Sequence, residues 1–265
     1  MAARDDVEQA FDPTVPSTAR MYDYYLGGKD NFAADREAAE KVLASAPEIR
    51  QVAVENRAFL GRVVRYLCDQ GIRQFIDIGS GLPTLGNVHE VAQAAAPGSR
   101  VVCVDHDAVV CAHARALLRG ANGVAVVQAP MERPEEVLAN PSLAALIDFS
   151  EPFAALFFSV LHFADDAASI VAAFRAVMVP GGYLALSHGV PGQVPGGAAT
   201  AGEVKQVYGK SNSPGGAFRT EAEILGLFSG FTLVQPGLVP VADWRGESAE
   251  DAGRTWLLGG VGRRV

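Results

Sequence analysis

The chain has 265 residues, 49% hydrophobic and 20% charged, with a formal net charge of −8 and a pI near 5.1. Such a composition supports a buried core of some size and excludes a disordered or fibrous chain. The acidic balance argues against nucleic acid or an anionic membrane as the main partner, because both reward basic surfaces.

In chain order, MAARDDVEQAF is too acidic and polar to read as a signal peptide, and residues 1–16, bracketed by Pro13 and Pro16, are expected to form a flexible arm. Residues 17–72 read as an N-terminal helical cap. Ser17 or Thr18 starts a short helix that Gly27-Gly28 stop, a second helix covers roughly 33–45, and a long third helix runs from Pro47 to Gly71 with apolar residues at helical spacing. From residue 73 the rhythm changes. FIDI (75–78), VVCV (101–104), VAVV (124–127), AALFFSV (154–160) and YLALSH (183–188) are short apolar runs without clean alternation, as strands buried on both faces require. Helical segments are expected at 87–96, 107–119, 134–149 and 166–178, so strand and helix alternate as in a doubly wound α/β sheet. Residues near 189–217 are rich in Gly and Pro and read as a lid with one helical stretch near 200–208; a helix at 220–229 and strands at 231–235 and 255–261 close the chain. The longest apolar run, FAALFFSVLHFA at 153–164, is too short to span a bilayer. Three cysteines (Cys68, Cys103, Cys111) form no C-x-x-C and read as buried thiols of a cytoplasmic protein.

The first strand stops in Gly79-Ser80-Gly81. In doubly wound sheets the first turn after a strand lies next to the ligand, and glycine there removes the Cβ that would meet it. A dinucleotide fingerprint needs G-x-G-x-x-G, but Thr84 stands at the third glycine and Pro83 removes an N–H that could serve a phosphate. The turn therefore suits a nucleoside cofactor without a pyrophosphate. Asp105 ends the second strand where an acid would accept both ribose hydroxyls, with His106 beside it. Asp77, inside the first strand, is expected to orient the loop through backbone N–H groups.

At these residues the chain resembles class I S-adenosylmethionine-dependent methyltransferases. More narrowly it resembles an actinobacterial family of S-adenosyl methyltransferases formerly listed as a domain of unknown function. The resemblance rests on ARMYDYYLGGKDNFAADREAAE, ENRAFLGRVVRYL, IDIGSGLPTLGNVHEVAQ, VVCVDHDAVVCAHARALL, VLHF, PGGYLALSH, QPGLVP and GGVGR, over about 19–263. It implies a seven-stranded Rossmann-like sheet with one antiparallel strand near an edge, and S-adenosyl-L-methionine as cofactor. Relatives carry an acid after the third strand to read adenine; here Gln128-Ala129-Pro130-Met131 has Pro130 at that place, leaving backbone groups near Met131 and its side chain.

His162, after the fourth strand next to Ser159, is the candidate catalytic base; His188 is a weaker one. Tyr22 and Gly28 are expected to cover the cofactor from the N-terminal cap, and Arg57 to pair with its methionine carboxylate. No metal site is expected: on a helix Cys111 and His113 point about 200° apart. The expected activity is methyl transfer to a small molecule by an enzyme compatible with a homodimer. The alternatives are a non-catalytic S-adenosylmethionine-binding protein and a nicotinamide-dependent oxidoreductase.

Overall fold

The computed structural model describes residues 12–83, 86–190, 194–213, 218–246 and 256–265. Eight strands form one sheet: β1 (Gln74–Ile78), β2 (Arg100–Asp105), β3 (Val124–Gln128), β4 (Ala154–Phe158), β5 (Tyr183–Gly189), β6 (Phe231–Leu233), β7 (Val239–Pro240) and β8 (Leu257–Arg264). Their order is β3-β2-β1-β4-β5-β8-β6, with β7 also on β8. The first five strands are mutually parallel and β8 is antiparallel to β5. β6 and β7 pair with β8 at Phe231–Leu233 and Val239–Pro240, so they share one interrupted edge row. The eight segments thus fill the seven rows that the resemblance implies.

The strands alternate between two cores, as period-2 geometry demands. Phe75, Val101, Cys103 and Leu156 face one core, under the N-terminal helices. Ile76, Ile78, Val102, Val104 and Phe157 face the other. Helices α4 (Val88–Ala95), α5 (Ala108–Leu117), α6 (Pro134–Leu138), α7 (Pro141–Ala144) and α8 (Ala167–Ala176) connect the parallel strands. The single helix expected over 134–149 is two short ones. Asn140 caps the second by accepting from Ser142 N–H, and Pro141 sits at its first position, where its missing N–H costs nothing.

The cap comprises α1 (Thr18–Tyr25), α2 (Ala33–Ser45) and α3 (Ile49–Asp69). One apolar face of α3, including Phe59, Val63, Val64 and Leu67, is fully buried. A further helix, α9 (Gly197–Tyr208), packs on α2, and α10 (Glu221–Gly226) leads into β6. Much of the expected lid is therefore helix; residues 191–193 and 214–217 lie outside the described residues. Of the arm expected over 1–16, residues 1–11 also lie outside them, and Pro16 is held where its carbonyl accepts from Asn212 N–H at 2.8 Å.

A buried polar joint ties the cap to the sheet. Arg20 Nε donates to Asp35 Oδ2 at 2.7 Å and Arg20 Nη1 to Asp107 Oδ2 at 3.2 Å, all three side chains being buried. Asn212 Nδ2 donates to the same Asp107 oxygen at 2.9 Å. Asp107 also caps α5, accepting from Val109 and Val110 N–H. The end of β2 is thus tied to α1 and to the segment after α9.

Candidate functional site

A cavity of about 920 Å³ opens over the carboxyl ends of β1, β2, β3 and β4, beneath α1, α3 and α9. Its floor begins where β1 ends. Gly79 and Ser80 N–H both donate to Val104 O, at 2.8 and 3.1 Å. Gly81 N–H donates to Asp105 Oδ2 at 2.9 Å, and Asp107 N–H donates to Asp105 Oδ1 at 3.0 Å. Each carboxylate oxygen of Asp105 keeps a lone pair for a ligand. Burial pushes the Asp105 carboxyl above its usual range, opposed by His106 and the two N–H donors.

The two glycines answer different needs. Gly79 has φ +71°, and a Cβ on it would stand 2.4 Å from Val160 Cγ2, so its demand is packing. Gly81 has φ +65° with nothing within 4 Å of an added Cβ, so the backbone there borders open space.

Asp77 does not orient the loop as expected. Its carboxyl is buried without a hydrogen bond among the described residues, and burial pushes its pKa up to about 7; Arg57 opposes this and Asp105 reinforces it. The loop's N–H acceptor is Asp105, because that side chain lies at the strand end beside Gly81, whereas Asp77 lies one residue inside the strand.

β4 was expected to run to residue 160 but stops at Phe158, because Ser159 adopts φ +51°, a left-handed conformation uncommon outside glycine. Its N–H donates to Ser187 Oγ at 2.9 Å, and Ser187 Oγ donates to Asn56 Oδ1 at 2.6 Å. Asn56 Nδ2 donates to Tyr22 Oη at 3.0 Å, and Tyr22 Oη to Ala53 O at 3.0 Å. One hydrogen-bonded chain thus runs from the strained turn through the helical cap to the cavity wall.

Arg57 stands on the same helix as Asn56. Its guanidinium lies 5.7 Å from the Tyr22 ring centroid, its Nη1 donates to Asn87 Oδ1 at 3.4 Å, and its buried Nε has no partner. Among the described residues it forms no ion pair. Opposite, Ala129, Pro130 and Met131 supply the wall after β3.

The sequence-predicted residues Gly79, Ser80, Gly81, Asp105, His106, Met131, Ser159, His162, Tyr22 and Arg57 therefore line one cavity. Gly28 does not. It packs on the Asp23 carboxylate, where a Cβ would fall 2.0 Å from Oδ1, and that acid in turn accepts from Asp30 N–H and Asn31 Nδ2. Its glycine serves the turn after α1.

His162 sits in a single 3₁₀ turn, Leu161–Phe163, with its Nδ1 buried and unpartnered. Burial, with His188 and Arg219 nearby, pushes its pKa down to about 3, so it is neutral and a weak base near pH 7. His188 is fully buried. Its Nδ1 lies 2.8 Å from Gly189 O and its Nε2 3.2 Å from Arg219 Nη1, which fixes the proton on Nδ1. Both nitrogens are thus engaged in structure.

Asn56, which lines the cavity, and Ser187 and Arg219, which hold its wall from behind, were not foreseen. An Asn on the apolar face of a long helix was the available signal for the first. Arg219 gave none, since it donates to Leu161, Ala164 and Asp165 carbonyls more than fifty positions away. His113 faces Asp30 at 3.7 Å while Cys111 is buried, and among the described residues no three His, Cys, Asp or Glu side chains gather to hold a metal.

Known proteins share this fold. A family model described as S-adenosyl methyltransferase matches residues 4–265. A provisionally assigned methyltransferase from Thermobifida fusca YX is 38% identical, with a TM-score of 0.88 over 99% of both chains. A DUF574 family protein from Streptomyces avermitilis MA-4680 is 35% identical, with a TM-score of 0.89 over 96% of this chain and 99% of that one. At 15% identity, the N-methyltransferase NodS from Bradyrhizobium japonicum WM9, solved with S-adenosyl-L-homocysteine, shares the fold at a TM-score of 0.51 over 96% and 99% of the two chains. No curated protein matches the chain.

Proposed function

The chain belongs to the S-adenosyl methyltransferase family, and from that premise we propose that this S-adenosylmethionine-dependent methyltransferase acts on a small molecule held inside the cavity. The cofactor, when bound, supplies a methyl group activated on a sulfonium. The observation that carries the reading is the placing of three complementary groups around one space: the Asp105 carboxylate, the open Gly81 backbone and the unpaired Arg57 cation.

In this reading Asp105 accepts from the ribose hydroxyls through its free lone pairs, a charge-assisted contact. Arg57 meets the methionine carboxylate. Ala129 and Met131 bracket the adenine, with backbone groups doing the work of the acid that Pro130 replaces. The acceptor lies at the end of β4, beside Ser159 and His162. The chain contributes alignment and exclusion of water, which together can supply most of the acceleration in a displacement at methyl. His162, neutral and weakly basic, orients the acceptor more than it deprotonates it. An interior acceptor site fits a small molecule better than a polymer. Three buried free thiols suit a reducing, cytoplasmic setting, and among the described residues no helix is long and apolar enough to cross a membrane.

Isothermal titration tests the assignment. S-adenosylhomocysteine is expected to bind and NAD not to bind; tighter binding of NAD would overturn it. Arg57→Met is expected to weaken S-adenosylhomocysteine while leaving 5′-methylthioadenosine, which lacks the carboxylate, within about twofold. Turnover on any acceptor separates an enzyme from a protein that only binds the cofactor.

A further inference from the structure

Beyond the residues assigned to the cofactor, the lining of the cavity under the cap includes aromatic rings from five separate segments. Tyr25 comes from α1, Phe163 from the 3₁₀ turn, Tyr208 from the end of α9, Phe218 from the segment before α10, and Trp256 from the entry to β8. Three of them touch through Tyr208. Phe163 and Tyr208 have centroids 5.5 Å apart, the Tyr25 and Tyr208 hydroxyls lie 3.2 Å apart, and His162 lies tilted at 59° against Phe163 with centroids 4.4 Å apart. Val190 N–H donates to Trp256 O at 2.8 Å, next to Gly189, which borders Phe218.

Among the described residues, most of the cavity's charged groups lie away from these rings. Arg57 of α3, with Asp77 and Asp105 of the floor, belongs to the cofactor's share; Glu132, Asp165 and Asp166 belong to the loops after β3 and β4, and Glu135 to α6. Asp23 is occupied by Asp30 and Asn31. Lys205 on α9 is exposed. A charged acceptor entering this part of the cavity would lose its hydration with only the solvent-exposed Lys205, among the described residues, as an ionic partner near the rings. A saturated molecule would gain burial but forgo the ring-to-ring geometry that five aromatic side chains offer. The total volume, near the upper end of the roughly 300–1,000 Å³ typical of ligand pockets, leaves room for a second small ligand beside the cofactor.

We propose that the methyl acceptor is a planar, uncharged aromatic molecule of about two fused rings, bound against Phe163, Tyr208 and Trp256 with its nucleophilic atom toward Ser159 and His162. This rests on the methyltransferase reading of the same cavity.

The test uses the full chain saturated with S-adenosylhomocysteine and titrates four probes by calorimetry: 2-naphthol, quinoline, decahydro-2-naphthol and 2-naphthoate. The two neutral aromatic probes are expected to bind at least about tenfold more tightly than the saturated or the anionic one. Tyr208→Leu is expected to weaken 2-naphthol about tenfold and S-adenosylhomocysteine by less than twofold, whereas Tyr208→Phe, which keeps the ring, holds 2-naphthol within about twofold. Equal or tighter binding of decahydro-2-naphthol or 2-naphthoate overturns the proposal, as does an unchanged 2-naphthol affinity in a folded Tyr208→Leu protein. If S-adenosylhomocysteine binds and the aromatic probes do not, the acceptor class fails alone; if S-adenosylhomocysteine itself does not bind, the methyltransferase reading fails with it.

Discussion

The floor of the cavity, from Gly79 to Asp105, is held by hydrogen bonds between residues at the ends of adjacent strands, and it carries charge. Its roof is gathered from α1, α3, α9, the segment before α10 and the start of β8, and five of its described residues present aromatic rings to the cavity, with the exposed Lys205 as the nearest charge on α9. The floor follows once β1 and β2 pair, because register alone brings Asp105 beside Gly81. The roof exists only when segments as far apart as Tyr25 and Trp256 are docked, and the Arg20 joint is the seam at which it is docked. The difference implies two layers of unequal stability: a sheet that forms the cofactor floor, and a cap whose attachment depends on a few buried charges.

The strongest way to break that comparison is at the seam. Arg20→Met leaves Asp35 and Asp107 buried without their shared cation, which typically costs about 3–5 kcal/mol. The melting temperature is expected to fall steeply. Amide exchange is expected to accelerate in 18–45 well before 74–105; equal loss of protection in both would show that roof and floor are one cooperative unit.

A buried acid on the floor provides a second handle. The Asp77 pKa rises from 3.8 to about 7 on folding, so the ionised form is the one penalised. The stability it contributes is full below about pH 4 and is lost as pH rises through about 7. Asp77→Asn is therefore expected to be more stable than the parent at pH 8, by no more than ~4 kcal/mol, and indistinguishable from it at pH 4. Urea midpoints at pH 4, 6 and 8 check the sign, and a constant difference across that range would refute it.

Asp105 sharpens the comparison, since it both builds the floor and is proposed to bind. Asp105→Ala is expected to weaken S-adenosylhomocysteine about tenfold to a hundredfold and Asp105→Asn less, one acceptor oxygen surviving. Some stability is lost in either case, because Gly81 and Asp107 N–H both lose their acceptor in the Ala variant and one of them does in the Asn variant. The 2′,3′-dideoxy analogue separates the roles: the parent is expected to prefer the diol, and Asp105→Ala to lose that preference. A preference that persists would leave Asp105 with structure alone.

The smallest expected effect is at Gly81. With open space around it, Gly81→Ala costs only its left-handed backbone, about 1 kcal/mol, read as a shift in the urea midpoint. A much larger loss would mean that the floor is tighter than the open side of Gly81 implies.

The alternating strands and helices, the glycine turn and Asp105 were legible because each depends on its own neighbours in sequence: apolar runs make strands, a strand must end, and glycine marks where it turns. Boundaries failed where one residue overrode the pattern, as at Pro141, which divides the expected helix, and Ser159, whose left-handed backbone cuts β4 short. Gly28 was misplaced for a related reason. A glycine signals close approach but not of what, and here the neighbour is Asp23.

The sequence by itself determined the α/β class, the family and the cofactor, because those reside in local motifs whose chemistry is carried by spacing. Tertiary structure decided which buried acid does which job, setting Asp105 on the loop and leaving Asp77 unbonded. It also turned His188 inward onto Arg219 and assembled an aromatic lining from five distant segments. The physical reason is that hydrogen bonds, desolvation and ring packing act over a few ångströms of space, and only the folded chain fixes which residues those few ångströms contain.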